Sequence, residues 1–157
     1  MAIQDPIEKK VLLSAPRNRV WQALTNADEF GTWFKVKMED KFAAGKRARG
    51  KITYPGYEHL TMDITIECMD ENKLFSYRWH PYAVDAKADY ASEPTTLVEF
   101  RLEEVKDGTL LTVTESGFDR IPAARREEAF QRNSEGWAQQ MENIRRYVAE
   151  NSRMLKS

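Results

Sequence analysis

Residues 122–149 read PAARREEAFQRNSEGWAQQMENIRRYVA, the one long helical pattern in the chain. Pro122 suits a first helical turn, because its φ is already helical and it has no amide hydrogen to leave unpaired. Ala123, Phe130, Trp137 and Ile144 recur every seven residues, and Met141 and Val148 extend the same stripe. Arg125, Arg126, Glu127, Glu128, Arg132, Glu142, Arg145 and Arg146 fill the remaining positions, the solvated side of an amphipathic helix. Such a helix is about 42 Å long. An eight-residue strand spans only about 26 Å, so this rod can cross a whole sheet.

What precedes the rod reads largely as strand. Ile7, Lys9, Val11 and Leu13 alternate at period two and predict a first strand. Ala15-Pro16 ends it, and Val20, Trp21 and Leu24 follow at helical spacing. Asn26 predicts the cap of a second short helix with Glu29 as reciprocal partner, ending near Gly31. Residues 35–42 predict a short edge element, and Ala48–Tyr54 a strand closed by the Pro55-Gly56 turn. Leu60, Met62, Ile64, Ile66 and Cys68 share one face of the clearest strand, with Thr61, Asp63, Thr65 and Glu67 opposite. Leu74–Trp79, a strand containing Val98, Phe100 and Leu102, and a strand containing Leu111, Val113 and Glu115 complete the series. Asp107-Gly108 is the hairpin signal between the last two. Residues 80–95 break this rhythm and predict a long loop or flap.

These elements bury their apolar faces most economically as one α+β unit: a curved antiparallel sheet around a long C-terminal helix, with two short helices after strand 1. No linker or repeat divides residues 1–157, so one domain with a core of about residues 7–150 is expected. Of the 157 residues, 41% are hydrophobic and 31% charged, the balance of a folded protein. Net charge is −1, which gives no overall attraction to nucleic acid or anionic lipid. No apolar run is long enough to span a bilayer, and MAIQDPIEKK has no signal-peptide core. The single cysteine, Cys68, excludes an internal disulfide framework and suits a reducing, cytoplasmic compartment.

Residues 13–34, LSAPRNRVWQALTNADEFGTWF, resemble the opening signature of the activator of Hsp (90-kDa heat-shock protein) ATPase homologue family: A-P, then V-W-x-A-L-T, then W-F. EPTTLVEFRLEE, DGTLLTVTESGF and NSEGWAQQMENIRRYV continue the likeness in order, so that it covers about residues 7–150. The family is part of the START-like, or SRPBCC, superfamily. The resemblance implies a helix-grip fold with a cavity between sheet and terminal helix. It does not imply one activity, since relatives use that cavity for binding and for catalysis.

Trp33, Phe34, Tyr54, Met62, Tyr77, Trp79, Phe100, Trp137 and Met141 form the candidate ligand-binding set, either as pocket walls or as plain core. Strand parity adds Glu115, which can bind a ligand hydroxyl or amine, act as an acid or base, or simply pair structurally. Tyr77 and His80 are the other weak catalytic candidates. Arg78 and His80 have outward parity, and His80 reaches the pocket rim only if its strand ends at Trp79. His59, His80 and Cys68 do not make a metal-ligand set. Gly45–Gly50 is neither a dinucleotide fingerprint nor a phosphate loop, so no cofactor is expected. Lys35–Lys51 carries seven basic and two acidic residues, a solvated hairpin or a docking patch for an acidic partner surface or a ligand carboxylate.

The leading expectation is a protein that binds a small apolar or aromatic molecule. A co-chaperone-like ATPase activator, implied by the resemblance, and a cyclase-, dehydratase- or hydrolase-like enzyme on a hydrophobic substrate are the alternatives. A homodimer is compatible with the outward sheet face, and a chaperone partner with the family name.

Overall fold

The computed structural model describes residues 6–82, 90 and 92–156, with side chains up to residue 150. Seven strands form one sheet: β1 (Ile7–Leu13), β2 (Val36–Met38), β3 (Arg47–Ile52), β4 (Thr61–Asp70), β5 (Leu74–Trp79), β6 (Thr96–Val105) and β7 (Gly108–Ser116). Their spatial order is β1-β7-β6-β5-β4-β3-β2, and every neighbouring pair is antiparallel. Two short helices, α1 (Arg17–Thr25) and α2 (Ala27–Phe34), follow β1. The terminal helix α3 (Ala123–Lys156) packs against β1, α1 and α2, and the curved sheet wraps it as the sequence predicts.

Local chemistry fixes the connections. Asn26 caps α2 by accepting the Glu29 amide at 3.0 Å. The reciprocal half of the predicted capping box is absent, because the Glu29 carboxylate accepts from Tyr147 and pairs with Arg19 instead. α2 runs one turn beyond Gly31 and stops at Lys35 in the left-handed conformation, φ 72°. Gly108 opens β7 at φ +146°, where an added Cβ would lie 2.0 Å from the Leu13 carbonyl oxygen. Only glycine fits that approach.

Two predicted patterns shift by one position. β4 and β5 lose register between Ile66 and Cys68, a bulge that moves the inward phase onto Met69, paired with Phe75. Cys68 is therefore half-buried rather than part of the buried apolar face. On α3, Ala123 is exposed and Phe130 only half-buried, and Ala129 takes the buried position next to Phe130, ahead of Trp137, Met141, Ile144 and Val148. The apolar stripe begins only at Ala129, and the first turn is held by Arg125, which pairs with Glu93 and donates to the Pro81 carbonyl.

Rings fill the space between sheet and helix. Phe75 stacks on Phe100 at 6.0 Å, and Phe100 meets Trp137 edge-on at 5.6 Å. Tyr77, Phe100, Phe75 and Phe30 are fully buried. Each such ring removes roughly 200 Å² from water, worth about 5 kcal/mol before conformational entropy is charged against it. Of the predicted loop over residues 80–95, positions 83–89 and 91 lie outside the described residues. Its two described ends are tied together by Arg125. That guanidinium donates to the Pro81 carbonyl at 2.7 Å and to the Glu93 carboxylate at 2.9 Å.

Candidate functional site

On β7 the period-two alternation carries Leu111, Val113 and Glu115 inward, opposite Leu102, Phe100 and Val98 of β6. Glu115 is consequently fully buried. A carboxylate in that position must find donors, because burial without them costs several kcal/mol. The strand rungs and the helix turn supply them. Trp79 and Thr96 are cross-strand partners at the ends of β5 and β6, and both reach Glu115 Oε2. The Trp79 indole nitrogen donates at 2.8 Å and the Thr96 hydroxyl at 2.5 Å. From α3, Trp137 and Asn133 stand one helical turn apart and reach Oε1, at 2.8 and 3.0 Å.

This donor set opposes the effect of burial. Desolvation raises the Glu115 pKa, while the bonds from Thr96, Trp137, Trp79 and Asn133 lower it, and the net shift is upward. All four partners donate and favour the ionised form, and the two indole N–H groups can do nothing but donate. No Lys, Arg or His among the described residues forms an ion pair with Glu115. Beside it on the same sheet face, Tyr77 is fully buried and its hydroxyl has no hydrogen-bond partner. Desolvation, followed by the Glu115 charge, pushes the Tyr77 hydroxyl well above its ordinary range.

A cleft of about 480 Å³ opens next to this buried cluster. Its origin is a mismatch of strand lengths. β4 begins at Thr61, but its pairing with β5 starts only at Thr65. The start of β4 pairs with β3 but has no β5 neighbour, which leaves a gap beside the end of β5. Ile52, Leu60, Met62, Phe34, Trp79 and Asn133 line it. His80, Tyr82 and Tyr90 come from the segment beyond β5, and the bidentate Arg47–Asp63 pair lies at the rim.

The sequence candidates divide by depth. Phe34, Met62 and Trp79 line the cleft directly. Glu115 and Trp137 sit one hydrogen bond behind its wall, joined to it through Trp79 and Asn133. Tyr77, Phe100 and Met141 belong to the packed interior. Trp33 is buried and donates its indole N–H to the Ala23 carbonyl at 2.9 Å, which locks α2 onto α1. Tyr54 is 49% exposed and meets Tyr57 at 5.8 Å, outside the cleft walls. β5 does end at Trp79, which brings His80 to the rim, where Nε2 lies 3.1 Å from the Glu93 carbonyl oxygen.

Sequence reading overlooks Asn133 and Thr96. Asn133 carried a usable signal, since it lies one helical turn before Trp137 on the stripe. Thr96 carried none, because its role depends on the β5–β6 register.

Residues 14–149 match the family model described as Activator of Hsp90 ATPase homolog 1-like protein. The chain belongs to this family. A protein of Mesorhizobium loti with a known crystal structure is 26% identical, with a TM-score of 0.74 over 92% of this chain and 97% of the other. A Staphylococcus saprophyticus protein is 20% identical, TM-score 0.68, over 93% of both chains. A Nitrosomonas europaea protein is 17% identical, TM-score 0.73, over 96% and 99%. The last two show the fold alone, and all three share the helix-grip architecture of the SRPBCC superfamily. No curated protein matches the chain.

Proposed function

We propose that this family member binds a small hydrophobic or aromatic molecule in the cleft between the start of β4 and the end of β5. The observation that carries the reading is the cleft itself: about 480 Å³, walled by Phe34, Ile52, Leu60, Met62 and Trp79. That volume falls within the range of small-molecule pockets, and Arg47, Thr61, Asp63, His80 and Asn133 in the lining supply polar groups that orient a ligand. Glu115 supports binding over acid–base turnover. Both of its oxygens are engaged by side-chain donors and it has no exposed surface, so it shapes the wall rather than touching the occupant.

Trp79 lines the cleft, so occupancy changes indole emission. Titration with a panel of aromatic and acyl compounds is expected to give saturable quenching with at least one micromolar ligand. Leu60→Glu, which places a charge in the apolar wall, is expected to weaken that ligand at least about tenfold while leaving the circular dichroism spectrum unchanged. An absence of saturable binding across the panel, or equal binding by Leu60→Glu, would overturn the reading.

A further inference from the structure

We infer that the ligand taken by this cleft carries an organic ammonium group, seated against the ring of Trp79. The inference rests on the binding reading above and specifies the chemistry of the occupant. Phe34, Trp79, Tyr82 and Tyr90 all contribute to the cleft lining. Aromatic faces attract a cation through their quadrupole, by about 2 kcal/mol where water is excluded. The chain already uses this chemistry beside the cleft, where the Arg125 guanidinium lies 4.8 Å from the centre of the Tyr90 ring.

Among the described residues, the charges around the cleft favour a cation. Arg47 is matched by Asp63 and Arg125 by Glu93. His80 faces the Glu93 backbone carbonyl. Glu115, behind the wall, has no ionic counterpart among the described residues, and its neighbours are neutral donors. Two of those donors, Trp79 and Asn133, are themselves cleft walls. When Glu115 is ionised, its field is weakly screened and reaches across one layer of side chains. An indole N–H that donates to a carboxylate is also polarised, so that its ring face becomes more negative. A neutral apolar ligand uses neither feature. A ligand carboxylate or phosphate would oppose both.

A matched pair of probes tests this: phenyltrimethylammonium against tert-butylbenzene, which replaces the charged nitrogen by carbon with little change of shape. Binding is read by tryptophan emission at pH 8. The ammonium is expected to bind at least about tenfold more tightly, a difference of about 1.4 kcal/mol. In Glu115→Gln that preference is expected to fall to within about threefold. Should Glu115→Gln fail to fold, the preference must shrink in Tyr82→Leu instead. Equal binding of both probes, or tighter binding of the hydrocarbon, overturns the ammonium inference and leaves the apolar cleft reading intact. Binding of neither probe, nor of any compound in the earlier panel, overturns both. A preference that survives unchanged in Glu115→Gln and in Tyr82→Leu also overturns it.

Discussion

Trp79, the last residue of β5, and Trp137, in the middle of α3, approach to 5.8 Å between ring centroids and donate to different oxygens of Glu115. Sheet and helix are thus joined through one buried carboxylate as well as through apolar contact. Hydrogen bonds to a charged group contribute about 1.5–3 kcal/mol each. Trp137→Phe keeps a ring in place but removes one donor, and is expected to destabilise the fold by about 2 kcal/mol. Urea unfolding measures it. A loss below about 0.5 kcal/mol would mean that the Trp137 bond contributes little.

The pH dependence follows from the upward shift at Glu115. The folded pKa exceeds the ordinary value of 4.5, so between the two values the folded state holds more protons than the unfolded state. Stability from this group is therefore complete below about 4.5 and declines as pH rises through the folded pKa. Glu142 works in the opposite sense. Arg145 and Arg146 hold its pKa at about 2 on the exposed face of α3, so its contribution disappears only as pH falls from 4.5 toward 2. Calorimetry from pH 4 to pH 8 is expected to show the melting temperature of the wild type falling relative to Glu115→Gln as pH rises. A constant difference across that interval would contradict the raised pKa.

Tyr77 has a buried hydroxyl without a partner, and an unsatisfied buried polar group costs about 1–3 kcal/mol. Tyr77→Phe is accordingly expected to raise stability by about 1 kcal/mol. A decrease in the chemical-denaturation midpoint would show that the hydroxyl finds a partner in solution.

Gly108 combines φ +146° with a backbone oxygen 2.0 Å from any added Cβ. Conformations reserved for glycine cost other residues about 1–3 kcal/mol, before the clash with Leu13 is counted. Gly108→Ala is expected to lower stability by at least about 2 kcal/mol. Gly136, with nothing within 4 Å of an added Cβ, is the control: Gly136→Ala is expected to stabilise α3 by about 1 kcal/mol. Equal effects at the two positions would refute the steric account.

The sheet, the two short helices and the long rod were legible because each is a periodic pattern, and periodicity is a local property of the chain. Leu111, Val113 and Glu115 share a face whatever lies across from them, so the inward placement of Glu115 needed only strand parity. The A-P, V-W-x-A-L-T and W-F segments were enough to indicate the family. The partners of Glu115 were not legible. Trp79, Thr96, Asn133 and Trp137 come from three elements, and nothing local specifies that β5 ends opposite the start of β6 at the level where α3 crosses. The cleft was less legible still, since its lining comes from α2, β3, β4, β5, α3 and the segment beyond β5, beside the four residues by which β4 precedes its pairing with β5. Sequence alone determined which faces are apolar. The tertiary structure decided which rings pack into the interior and which wall the cleft, because register and strand overhang are relations between distant segments.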